Sequence, residues 1–168
     1  DEHVVVVVAQ ALRLGRAARR RGEVGGAGDR TAPQGAGPAG GHCARILVQS
    51  GHKVLLAEQN DNFYKNDFSS AATPLESLSK FDLPESVIGS FWHKLTIETS
   101  KVSQTWQSPE SLGVVLNFVK FRAFLASEVE RFGGEVWLGY RYTGHSSKGE
   151  TTVEFKQLSD GQLMQVST

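Results

Sequence analysis

The stretch Gly35-Ala36-Gly37-Pro38-Ala39-Gly40 decides the fold of this chain, because a helix-like run and a strand-like run come directly after it. The apolar run suited to a helix extends from Pro38 to Ser50 and ends at Gly51. The strand-like run, Lys53 to Ala57, then ends in the acidic residue Glu58. This order of glycines, helix, strand and acid is the fingerprint of a βαβ unit that binds a dinucleotide.

Each position of the fingerprint has a chemical reason. Gly35 permits the tight turn, Gly37 lets the backbone approach a pyrophosphate without a Cβ, and Gly40 lets the helix pack closely on the sheet. The helix start offers unpaired N–H groups and a partial positive charge to phosphates. Glu58, 23 positions after Gly35, is expected to accept hydrogen bonds from the adenosine ribose. The predicted cofactor-binding residues are Gly35, Ala36, Gly37, Pro38, Ala39, Gly40, Glu58 and its neighbour Gln59.

Length and composition limit the classes of protein to which this chain can belong. The 168 residues have room for one domain with a sizeable core, and the opening residue Asp1 indicates a fragment or a processed product. The formal net charge of zero gives no indication of a nucleic-acid partner, and the five histidines show no metal-ligand spacing. The apolar run Val4–Val8 is too short to span a bilayer. The single Cys43 suits a reducing, cytoplasmic compartment and is predicted to be a small buried packing residue.

A change of composition interrupts the fingerprint at residues 9–34. The run Val4–Val8 is the expected first strand, yet this Ala/Gly/Arg-rich segment without aromatic residues separates it from Gly35. Such a composition buries too little apolar surface to offset chain ordering, which predicts a disordered insertion or a stretch of foreign reading frame. The basic cluster Arg13–Arg21 also fits a nucleic-acid-binding arm, but it has no interleaved aromatic residues, and a disordered loop is favoured.

The remaining pattern predicts an α/β fold with a Rossmann-type parallel sheet and the start of an antiparallel substrate-domain excursion. Residues 1–168 are predicted to form one incomplete FAD/NAD(P)-binding domain, in which 59–118 are a loop and a substrate-side excursion. After Glu58 the sequence predicts a short helix, capped by Thr73 with Pro74 in its first turn, and then two antiparallel strands within Phe91 to Trp106. An amphipathic helix from Phe118 to Phe132, ended by Gly133-Gly134, and a strand from Glu135 to Tyr142 come next. A hairpin of Thr151–Phe155 and Leu163–Val166 is the last predicted element.

Two motifs resemble those of a known family. Gly35–Gly40 with Pro38 is similar to the GxGPAG variant typical of flavoproteins. Phe121-Arg122-Ala123-Phe124-Leu125 opens a helix that closes in Gly133-Gly134-Glu135-Val136, similar to a family pattern in which an arginine begins the helix after the substrate-domain excursion. Over residues 35–168 the chain therefore resembles the p-hydroxybenzoate-hydroxylase-like flavoproteins, and within them the geranylgeranyl-reductase-like branch.

The resemblance implies FAD as cofactor, NAD(P)H as a candidate reductant, and Arg122 as a contact of the flavin's ribityl–pyrophosphate region. The implied activity is a flavin-dependent reductase or dehydrogenase acting on a small, isoprenoid-like molecule, in the cytoplasm or peripherally on a membrane. No catalytic residue is assigned, because the flavin carries the chemistry in such enzymes.

The sequence departs from the family in three places. The insertion at 9–34 separates the phosphate turn from its strand, and Ala126 stands where the family often has an aspartate. The chain also ends at Thr168, before the family's later flavin-binding segment with the residues Gly-Asp. Three alternatives therefore stay open: a flavin monooxygenase, an NAD(P)-binding dehydrogenase or methyltransferase, and a truncated product without activity of its own.

Overall fold

The computed structural model describes residues 4–7, 35–65, 71–146 and 151–167. The chain separates into two compact units, Asp1–Asn62 with Leu125–Thr168, and Phe63–Phe124. The second unit overlaps the segment 59–118 that was predicted as an excursion, while the organisation of 1–168 as one incomplete domain stays a prediction. Residues 9–34 lie outside the described residues, so the disorder of this insertion also stays a prediction.

The described part of the chain contains both helices and strands, and no helix in it is long and apolar enough to cross a membrane. The longest, α3, has 14 residues. In chain order the elements are β1 Val4–Val7, α1 Pro38–Gln49, β2 Lys53–Glu58, β3 Ala72–Pro74, α2 Glu76–Lys80, a 3₁₀ turn Glu85–Val87, β4 Ile88–Trp92, β5 Lys94–Glu98, β6 Ser103–Gln107, β7 Gly113–Leu116, α3 Phe118–Arg131, β8 Glu135–Leu138, β9 Tyr140–Ser146, β10 Thr152–Gln157 and β11 Leu163–Ser167.

A parallel sheet of three strands forms the centre of the first unit, in the order β1-β2-β8. Val7 lies opposite Leu56, and Glu58 lies opposite Leu138 at the carboxyl end of β2. Five successive residues of β2, from Val54 to Glu58, are buried, as expected for a parallel strand covered on both faces. The α/β class with a Rossmann-type parallel sheet is thereby confirmed.

Glycines in the left-handed region end the two long helices, as the sequence predicted. Gly51 has φ +86°, and the N–H groups of Gly51 and His52 donate to the carbonyls of Val48 and Leu47 at 3.0 and 3.1 Å. Gly133 has φ +87° and ends α3 with the same pair of bonds. Both ends are Schellman motifs, in which a left-handed residue satisfies the last helical carbonyls.

An antiparallel sheet, in the order β11-β10-β9, completes the first unit. Its central strand buries Val153 and Phe155 against Leu55 and Ala57 of β2. The hairpin of β10 and β11 was predicted and is present. The single strand predicted over Glu135–Tyr142 is instead two strands, because Gly139 (φ +80°) breaks it and directs β8 and β9 into different sheets.

The second unit holds two antiparallel sheets, β3-β7-β4 and β5-β6. The prediction that Thr73 and Pro74 open a helix was wrong, because both residues pair with β7 as strand β3. The helix begins at Glu76, after this pairing ends. The region from Phe91 to Trp106 contains the predicted antiparallel pair as β5 and β6, while β4 pairs with β7.

Cys43 is exposed, so its prediction as a buried packing residue was also wrong. The reason is the rotational position of Cys43 on α1, whose buried residues are Gly40, Gly41, Ala44, Arg45 and Val48. These residues recur at helical spacing on one face, and Cys43 lies outside that stripe.

Candidate dinucleotide-binding site

The first glycine of the fingerprint lies directly on the backbone of β2. A Cβ on Gly35 would overlap the carbonyl oxygen of Ala57 and lie 2.8 Å from its carbonyl carbon. No side chain fits there without moving main chain. The tight turn predicted at Gly35 is therefore a close approach that only glycine permits.

The second glycine borders open space at the start of α1. Gly37 is the N-cap residue, with extended backbone (φ −74°, ψ 175°), and a Cβ placed on it would meet no atom of the described residues within 4 Å. Among the described residues no side chain caps the helix, and its first turn contains no acidic residue. The first N–H groups of a helix have no intrahelical acceptor and carry partial positive charge, so this end suits an anionic group.

Close packing of α1 involves a glycine that the fingerprint did not single out. Gly40 and Gly41 are both buried, and a Cβ on Gly41 would lie 3.0 Å from Cβ and 3.1 Å from Cδ1 of Leu125 on α3. The sequence predicted a close approach of Gly40 to the sheet, whereas the described contact joins Gly41 to a helix. The adjacent pair of glycines was the signal that could have revealed it.

Glu58 connects the end of β2 to the glycine turn. Its side chain is fully buried, and Oε2 accepts a hydrogen bond of 3.2 Å from the backbone N–H of Ala36. Oε1 accepts two hydrogen bonds from Asn60, one from its backbone N–H at 2.9 Å and one from Nδ2 at 2.7 Å. The structure thus brings Glu58 to the fingerprint turn, with Gln59 half-buried next to it. Sequence reasoning missed Asn60.

Arg122 lies in the second unit, near the start of α3, and is 2 % exposed. Its Nη1 donates to the carbonyl oxygen of Lys65 at 3.1 Å and to that of Phe63 at 3.5 Å. The guanidinium carbon lies 5.2 Å and 5.8 Å from the ring centroids of Phe63 and Phe118, within the range of cation–π attraction. Arg122 therefore holds the backbone of residues 63–65 through hydrogen bonds to two carbonyl oxygens. Its contact with a flavin stays a prediction.

Comparison with known proteins finds relatives in sequence and in fold. No family model matches the chain. Over 117 residues it is 33% identical to the digeranylgeranylglycerophospholipid reductase of Haloferax volcanii. The fold is similar to a geranylgeranyl bacteriochlorophyll reductase-like protein from Thermoplasma acidophilum (TM-score 0.68, 21% identity) and to a myxobacterial chondrochloren halogenase described as a variant of FAD-dependent halogenases (TM-score 0.62, 16% identity).

The chain is thus similar in sequence to a reductase, and similar in fold to proteins that include a geranylgeranyl reductase-like protein and a variant of FAD-dependent halogenases. The resemblance predicted from the glycine stretch and the α3 motif is thereby confirmed. The sequence match covers 68% of this chain but 27% of the Haloferax reductase. Each of the two structural matches covers 80% of this chain; they cover 36% of the Thermoplasma protein and 34% of the halogenase. The chain thus spans about a quarter of the curated relative and about a third of each structural neighbour.

Proposed function

We propose that the first unit binds the adenosine half of FAD, and that the chain belongs to an FAD-dependent reductase or dehydrogenase related to geranylgeranyl reductases. The observation that carries the proposal is the uncapped start of α1, where Gly37 borders open space directly after a turn that lies on β2. A dinucleotide pyrophosphate fits this position by charge and by hydrogen bonding.

Different residues bind the phosphate and the ribose. The N–H groups of Ala39 and Gly40, at the second and third positions of α1, donate to the pyrophosphate, while Pro38 sets the helical φ at a position that needs no donor. Glu58 accepts from the ribose hydroxyls and disfavours a 2′-phosphate, because two negative charges would then meet. FAD, when bound, supplies the electron and hydride transfer, and the residues of this unit hold and orient it.

The relatives also support a proposal on the substrate class. The Haloferax protein is named for the reduction of a digeranylgeranylglycerophospholipid, which carries isoprenoid chains. We therefore propose a small isoprenoid-like molecule as the substrate. NAD(P)H as reductant, the cytoplasmic or membrane-peripheral location and the alternative of a flavin monooxygenase stay predictions.

The test of cofactor binding replaces Gly37 with valine. Because a Cβ at Gly37 meets no atom of the described residues, Gly37→Val should leave the far-UV circular dichroism unchanged and lower the unfolding midpoint only by the small cost of a less favoured N-cap residue. Its branched side chain would fill the space proposed for the pyrophosphate, so binding of FAD measured by calorimetry should fall below detection.

A matched control is available on another sheet. Gly144 lies in β9, and a Cβ there would meet one atom, Oε2 of Glu154 at 3.8 Å. Gly144→Val should therefore bind FAD as the unmodified chain does. Equal FAD affinity in Gly37→Val and Gly144→Val would contradict the proposed site, and no binding of FAD by the unmodified chain would contradict the proposed function.

A further inference from the structure

We propose that Asn60 is a positioning residue of the dinucleotide site, which holds the Glu58 carboxylate in the orientation that receives the ribose. The proposal rests on the proposed function for the identity of the ligand. It rests on the structure for the geometry, because Asn60 donates two hydrogen bonds of 2.9 and 2.7 Å to the same oxygen, Oε1.

The two donors of Asn60 determine which carboxylate oxygen faces the glycine turn. With Oε1 held by the backbone N–H and Nδ2 of Asn60, Oε2 is directed to the N–H of Ala36 at 3.2 Å. A glutamate side chain has three rotatable bonds, and a fully buried carboxylate needs donors to compensate for lost water. Charge-assisted hydrogen bonds of this length are strong enough to select one rotamer.

Asn60 is itself fixed through its backbone. The N–H of Gly139 donates to the carbonyl oxygen of Asn60 at 3.0 Å, and the carbonyl of Gly139 accepts from Leu158 at 2.8 Å. Gly139 has φ +80° in the break between β8 and β9, a conformation that favours glycine. A series of hydrogen bonds therefore runs from Leu158, directly after β10, through Asn60 and Glu58 to Ala36.

This arrangement has a consequence for ligand selection. Once a ligand reaches this buried carboxylate, a Glu58 side chain already held in position makes its hydrogen bond to the ribose without a further loss of side-chain entropy. The ligands that benefit are nucleotides with a free ribose 2′,3′-diol, such as FAD and ADP. A ligand without the 2′-hydroxyl gains less from the position of Glu58, so Asn60 contributes to discrimination between the two kinds of ribose.

Calorimetry with ADP and 2′-deoxy-ADP tests this discrimination. In Asn60→Ala the ratio of the ADP affinity to the 2′-deoxy-ADP affinity should fall by about tenfold, as expected when a hydrogen bond to a charged group is lost. Asn60→Asp keeps the size of the side chain but replaces the Nδ2 donor with a second negative charge, and its loss of preference should be at least as large. Asn62→Ala is the matched control, since the Asn62 amide donates to Asp61 at 2.7 Å, and it should keep the preference.

Amide hydrogen exchange provides a measurement without ligand. The Ala36 amide should exchange about tenfold faster in Asn60→Ala, because its acceptor Oε2 is no longer held, while the Leu56 amide in β2 should be unchanged. If the unmodified chain binds neither ADP nor FAD, the proposed function fails and exchange at Ala36 alone decides the positioning role. Unchanged Ala36 exchange, or an unchanged ADP preference in a chain that binds ADP, would overturn the proposal.

Discussion

Replacing Gly35 with alanine is expected to lower the free energy of unfolding by about 3 kcal/mol or more. The added Cβ would overlap the carbonyl oxygen of Ala57, which is main chain in the central strand of the parallel sheet. Unlike a flexible side chain, this carbonyl can move only if β2 or the glycine turn moves. Urea unfolding followed by circular dichroism would measure the loss.

The control for this prediction is the neighbouring glycine. Gly37 has φ −74°, which alanine also adopts, and open space at the Cβ position among the described residues, so Gly37→Ala should cost no more than about 1 kcal/mol, the loss expected for a less favoured N-cap residue. Equal stability of the Gly35→Ala and Gly37→Ala variants would show that the glycine turn does not lie on β2 as described.

Replacing Glu128 with alanine is expected to lower the free energy of unfolding by about 3–5 kcal/mol, as when one partner of a buried ion pair is removed. Glu128 on α3 lies 3.5 Å (Oε2) from Nε of Arg45 on α1, and the two side chains are 10% and 4% exposed. Within the described residues Arg45 Nε has no hydrogen-bond partner, so at that atom the interaction with Glu128 is one of charge rather than of hydrogen-bond geometry. Without Glu128, the Arg45 guanidinium loses this compensating charge while it stays away from water.

Two variants separate this charge effect from a general loss of packing. Glu130 is an exposed residue on the same helix, and Glu130→Ala should change stability by less than about 0.5 kcal/mol. The double variant Arg45→Met with Glu128→Leu should recover most of the stability that Glu128→Ala loses, because apolar side chains of similar volume replace both charges. A double variant as unstable as Glu128→Ala would indicate a packing defect instead of the loss of a compensating charge.

Local signals in the sequence determined the elements that carry the fingerprint. Pro38 begins α1, Gly51 and Gly133 end the two long helices, and the Asp160-Gly161 turn lies between β10 and β11. These signals work because each depends on backbone conformation within a few residues: a fixed φ at proline and an accessible positive φ at glycine. The identities and spacing of the glycines and Glu58 were likewise sufficient to predict the βαβ unit.

Tertiary structure alone decided features that depend on partners distant along the chain. Pairing with β7 made Thr73 and Pro74 a strand although their local sequence favours a helix start. The position of α3 determined that Arg45 is buried beside Glu128. The bond from Gly139 fixes the backbone of Asn60, whose two donors hold Glu58. No short sequence window contains both members of these long-range contacts, and their energies override the weaker local preferences.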